Sequence, residues 1–157
     1  MISSNIMVQY KKIEGKEENF NIDMDIYDYE VLDRANQFQS AVKVLKNLNK
    51  GIPLELNACL ACELYLKYLV YFKKDHVDKK PVAHLKRVHD LKALYGECDD
   101  NTKIEIKKKM GMDFEDKLEN VKENFKIVRY DYEFENVVYS PGFLINFMNV
   151  LSEMCNS

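Results

Sequence analysis

Residues 113–135 read DFEDKLENVKENFKIVRYDYEFE, and their apolar members Phe114, Leu118, Val121, Phe125, Val128 and Tyr132 recur at steps of three and four. That spacing predicts one long helix, Asp113 to Glu135, with an apolar face along its whole length. Such a face needs partner helices, so the stretch points to an all-α fold. Near its end Arg129 is flanked by Tyr130, Tyr132, Glu133 and Glu135. A cation, two phenols and two carboxylates crowd there within two turns, which makes it the first place to look for a binding or reactive surface.

Working outward, Ser140 and Pro141 suit a helix start, and Phe143, Leu144, Phe147, Val150, Leu151 and Met154 supply the stripe of a last helix. Upstream, Val31, Ala35, Phe38, Val42 and Leu45 keep helical rhythm from about Tyr29 to Asn49, before Gly51 and Pro53 restart the chain. The next segment, about Pro53 to Lys73, is apolar on too wide a stripe for one neighbour, which places it centrally. Asp90 is a cap for a short helix Leu91 to Tyr95 that Gly96 closes, and a further short helix is expected from Asn101 to Met110. Four long helices and one or two short ones, joined by short connections, predict an up-and-down bundle.

Before them, Ile6, Val8 and Tyr10, and then Phe20, Ile22, Met24 and Ile26, alternate with polar neighbours around a Gly-containing turn. This reads as an N-terminal β-hairpin, with MDIYDYE as the link to the first helix. The expected division is an N-terminal segment, residues 1–28, and a helical domain, residues 29–157.

With 46% of residues apolar and 31% charged, the chain resembles a globular domain rather than a disordered one. At 157 residues it can bury a core without disulfides or metal. A net charge of -3 gives no global field for nucleic acid or membrane, so any phosphate contact must be local. There is no signal-like start and no apolar run near the roughly 18 residues of a membrane span, which reads as a cytoplasmic protein without membrane contact.

Cys59 and Cys62 form a C-x-x-C, but in mid-helix and with no second pair at zinc-ligand spacing, so buried thiols are expected and neither a metal nor a cofactor. Glu63 and Lys67, one turn apart, read as a solvated ion pair. The run KKDHVDKKPVAHLKRVH, with His76, His84 and His89, is the one locally basic stretch, fitting either a solvated loop or a phosphate contact. Capping accounts for Asp90 but not for His89, which is either a structural histidine or a functional one. No Gly-rich phosphate loop, H-E-x-x-H or G-x-S-x-G is present, so NTPase, zinc hydrolase and serine hydrolase readings have no support.

Three segments, NACLACELYLKYLVYF, HLKRVHDLKALYGE and FKIVRYDYEFEN, together resemble the HEPN domain family. NACLACELYLKYLVYF is similar to its second helix, with an Ala-x-Glu-Leu-x-x-Lys pattern on Ala61, Glu63, Leu64 and Lys67. HLKRVHDLKALYGE resembles the following His-Asp-Leu helix start, on His89, Asp90 and Leu91, and FKIVRYDYEFEN resembles a late helix with an Arg-Tyr-x-Tyr-Glu run, on Arg129, Tyr130, Tyr132 and Glu133. The likeness runs from about Tyr29 to Met154. It implies a helical bundle that pairs into a homodimer and, in ribonuclease members, a metal-independent RNA-cleaving site built from an Arg and a His a short way on. Here the Arg is Arg129, but Asn136 stands where the His is expected.

An amide cannot exchange protons near neutral pH, and general acid–base help is worth about 10²–10⁴ in rate, so efficient cleavage by the family route is not expected. The resemblance then implies a dimeric module that binds RNA, a nucleotide or a partner protein in a defence or toxin–antitoxin setting. Its ligand-binding residues would be Arg129, Tyr130, Tyr132, Glu133, Asn136 and His89. Two alternatives stand beside it: a ribonuclease toxin in which His89 or His84 serves with Arg129 as the catalytic pair, and a helical protein–protein interaction module that needs no chemistry. An Arg between Tyr and Glu can also be no more than a packed ion pair.

Overall fold

The computed structural model describes residues 24–48, 51–73, 88–133 and 139–157. Their regular structure is helical throughout: α1 (Met24–Asn47), α2 (Gly51–Lys73), α3 (Leu91–Glu97), α4 (Asp100–Met110), α5 (Phe114–Val121), α6 (Asn124–Ile127), a 3₁₀ turn over Val128–Glu133, and α7 (Pro141–Asn156). None of these helices is long and apolar enough to cross a membrane.

The wide apolar stripe of α2 has the consequence expected of it. Ala58, Ala61, Cys62, Tyr65 and Leu66 are essentially without exposure, because α1 packs on one side of α2 and α7 on another. The spacing that marked α1 buries Val31, Ala35 and Val42, and that of α7 buries Leu144, Phe147, Leu151 and Met154. Phe114 meets Phe147 edge-on, with ring centroids 5.0 Å apart, and so ties the start of α5 to α7.

Polar bonds fix the seam between α1, α2 and α7. The buried Tyr65 hydroxyl donates to Asn36 Oδ1 at 2.6 Å, and the amides of Asn36 and Asn156 exchange bonds of 3.1 Å in both directions. Ser152 Oγ donates to Gln39 Oε1 at 3.1 Å. Sliding one of these helices by a turn would strand several of these groups, so the network sets the register of the core.

The expected long helix, Asp113 to Glu135, is broken. α5 stops at Val121, where the carbonyl of Lys122 accepts from the backbone N–H of Leu91, the first residue of α3, at 3.0 Å. That carbonyl therefore serves a neighbouring helix, and the chain restarts with Lys126 N–H donating to Glu123 O at 2.9 Å. Further on, Tyr130 leaves helical geometry altogether (φ −128°, ψ 32°).

Several ends differ from expectation as well. α1 begins at Met24, so Met24 and Ile26, assigned to a strand and a link, are helical; the rest of the hairpin lies outside the described residues. α3 continues through Gly96 to Glu97 and is closed by the Cys98 N–H on the Tyr95 carbonyl. Asp90 caps α3 as expected, accepting from Ala93 N–H at 2.9 Å. Ser140 does not cap α7 through its side chain; its backbone N–H instead donates to Glu55, and Pro141 takes the first turn as foreseen.

A candidate anion-binding face

α2 carries Glu63 and Lys67 into the interior, at 4% and 6% exposure, which corrects the expectation of a solvated pair. The reason is that α2 is covered on this side too, by α6 and the 3₁₀ turn. Lys67 Nζ lies 2.6 Å from Glu63 Oε1. Both Glu63 oxygens also stand 3.1 Å from Nδ1 of His89, in the approach to α3. A carboxylate offers only acceptors, so the hydrogen of this contact sits on the imidazole Nδ1. Nε2 is thereby left for other partners on a side chain that remains 39% exposed.

The His89 ring stacks on Phe125 of α6, with centroids 5.2 Å apart and planes at 27°. The same Phe125 ring receives the guanidinium of Arg129, whose Cζ lies 5.3 Å from the centroid. Phe125 and Arg129 are one helical turn apart, which lets them meet. Neighbours such as Arg129 and Tyr130 would diverge on a regular helix, but the kink at Tyr130 brings them together. Arg129 Cζ is 5.2 Å from the Tyr130 centroid, and Nη2 donates to the Tyr130 hydroxyl at 3.1 Å.

Glu63, Lys67, His89, Phe125, Arg129 and Tyr130 thus form one continuous cluster. Its inner half is a charge-paired carboxylate and ammonium, and its outer half is an imidazole and an exposed guanidinium that share one aromatic ring. No carboxylate whose side chain is described pairs with Arg129, and the Asp131 side chain is not among those described. Aromatic contact of this kind orients a guanidinium for about 0.5–1 kcal/mol while leaving its N–H fork for an anion.

Of the residues expected at the site, Arg129, Tyr130 and His89 come together. Tyr132 and Glu133 lie in the same 3₁₀ turn, Glu133 exposed to solvent; Asn136 and His84 lie outside the described residues. Sequence reasoning did not place Phe125 or Glu63 in the site. The signal for Phe125 was its position one turn before Arg129, and for Glu63 the breadth of the apolar surface around it.

Other groups on α2 offer no comparable chemistry. Cys59 and Cys62 are buried, and burial, with Glu55 and Glu63 adding negative charge nearby, pushes the Cys59 thiol well above its ordinary value. Such a thiol is a poor nucleophile. No group of three His, Cys, Asp or Glu among the described residues has metal-binding geometry. A separate cleft of about 590 Å³ at the start of α7 is lined by Met110, Lys117, Tyr139 and Phe143, among others, and includes none of the residues above. Its lysine is paired with Asp113 at 2.7 Å.

No family model, curated protein or solved structure matches this chain.

Proposed function

We propose that the face formed by His89, Phe125, Arg129 and Tyr130 binds the phosphodiester backbone of RNA or the phosphate of a nucleotide. The observation that carries this reading is an exposed guanidinium oriented by two aromatic rings, Phe125 and Tyr130. Arg129 forks onto phosphate oxygens, and Tyr130, 40% exposed, offers a ring on which a base stacks. The resemblance of three segments to HEPN domains supports the same reading. From that resemblance alone come the homodimer and the defence or toxin–antitoxin setting.

The test is fluorescence anisotropy of a labelled single-stranded RNA and of a labelled nucleotide against purified protein. Saturable binding that weakens with salt and is lost in Arg129→Ala is expected. Absence of binding to both ligands would remove the proposal and leave the protein-interaction reading.

A second reading, metal-independent RNA cleavage by Arg129 with His89, is favoured by one specific feature. Glu63 orients the imidazole through Nδ1 and leaves Nε2 for proton transfer, as a general acid or base requires. In this step the RNA 2′-hydroxyl proton passes to Nε2 as the 2′-oxygen bonds to phosphorus, the P–O5′ bond breaks and the leaving 5′-oxygen takes a proton from water, while Arg129 stabilises the charge that develops on phosphate. Cleavage that persists in chelator and disappears in both Arg129→Ala and His89→Ala is the expected sign; RNA left intact after long incubation rules this reading out.

A further inference from the structure

A second buried carboxyl stands two turns before Glu63 on the same helix. Glu55 has no exposed surface, and its Oε1 alone makes both of its hydrogen bonds. It accepts from Asn124 Nδ2 at 2.6 Å and from the backbone N–H of Ser140 at 3.1 Å. Oε2 is buried with no hydrogen-bond partner. Desolvation raises the Glu55 carboxyl above its ordinary value, against the two donors that pull it down. An apolar side chain of similar size would avoid that desolvation but strand the donors of Asn124 and Ser140, so the two bonds hold these donors in place at a desolvation cost that asks for a reason.

Their placement supplies one. Asn124, itself buried, immediately precedes Phe125 on α6, and Ser140 opens α7. Between them in the sequence lie Phe125, Arg129 and Tyr130. Glu55 therefore grips both ends of the stretch that bears the guanidinium, while Glu63, farther along the same helix, holds the imidazole. α2 acts as a ruler with two buried carboxyls, one for each half of the site.

We infer that Glu55 is a positioning residue for the anion-binding face: by fixing Asn124 and Ser140 against α2 it sets where Arg129 stands relative to His89. This rests on the proposed function for its ligand, but the clasp itself is measurable without one.

The experiment compares the full-length protein with Glu55→Met, which removes both bonds and preserves bulk, and Glu55→Gln, which retains an Oε1 acceptor. Hydrogen–deuterium exchange reports the amides of residues 124–133 against those of α1, α2 and α7, and anisotropy reports binding of a single-stranded RNA. In Glu55→Met, faster exchange confined to residues 124–133 is expected, with RNA affinity at least about tenfold weaker, since small displacements of a positioned group are costly. Glu55→Gln is expected to restore both. Exchange unchanged at residues 124–133, or loosened evenly across all helices, overturns the inference, and so does local loosening with RNA affinity intact. If the unaltered protein ignores RNA, the proposed function fails, while the exchange pattern still decides whether the clasp exists.

Discussion

Glu63 serves two nitrogens from one buried carboxylate, the Lys67 ammonium at 2.6 Å and the His89 imidazole at 3.1 Å. Removing it leaves an ammonium at 6% exposure without its counter-charge. Glu63→Ala is therefore expected to destabilise the fold by about 3–5 kcal/mol in urea denaturation. The double variant Glu63→Leu with Lys67→Met should recover most of that loss, because a buried ion pair replaced by apolar residues of similar size is often neutral. Arg129 behaves in the opposite way, since it is exposed and its partners are aromatic rings. Arg129→Ala should cost no more than about 1 kcal/mol of stability, far less than Glu63→Ala, so that loss of RNA binding in a folded variant reports the site rather than the fold. The pairing of Glu63 with Lys67 was legible as a spacing one turn apart; its burial was not, because that spacing does not say what covers the helix.

At the scale of elements, the helix caps give a sharp contrast. Asp90 accepts the Ala93 N–H at 2.9 Å, so Asp90→Ala should cost about 1 kcal/mol of stability. The Ser140 hydroxyl does not cap α7, so Ser140→Ala should cost less than about 0.5 kcal/mol, both losses being read from urea denaturation. Equal losses in the two variants would contradict these assignments. The helices themselves were largely visible beforehand. Val31, Ala35 and Val42, and Leu144, Phe147 and Leu151, fall at helical spacing and are buried as that spacing requires. The break after Val121 left no such trace, since Phe125 and Val128 continue the rhythm of an unbroken helix. What ends α5 is a bond between distant segments, Leu91 N–H to Lys122 O, and periodicity carries no information about it. The same break is what frees Asn124 to reach Glu55 and turns Phe125 toward His89. Arg129 was recognisable as a candidate from its neighbours in sequence, whereas the ring that joins it to His89 depended on this tertiary event.

For the molecule as a whole, acidity acts on two carboxyls in opposite directions. Lys122 and Lys92 hold Glu119 down at about 2, so its contribution to stability is present above its ordinary value of 4.5 and is lost as pH falls toward about 2. Glu55 is raised by desolvation, so the folded state binds its proton more tightly than the unfolded state does. Its favourable contribution is complete below 4.5 and is lost as pH rises through the folded-state value. Stability of the natural protein relative to Glu55→Gln should therefore decline as pH rises from 4.5, read from urea midpoints across the range; a difference independent of pH would contradict the assignment. The exposed pair of Glu119 with Lys92 and Lys122 should matter less in high salt.

The site itself is tested most directly by following the side-chain resonances of Arg129, His89 and Phe125 by NMR while a single-stranded RNA oligonucleotide is added at low and at moderate salt. The expected result is saturable shifts centred on the Arg129 guanidinium and the Phe125 and His89 rings, weaker at the higher salt. Shifts absent from these three side chains, or centred on a remote surface while they stay still, would contradict it.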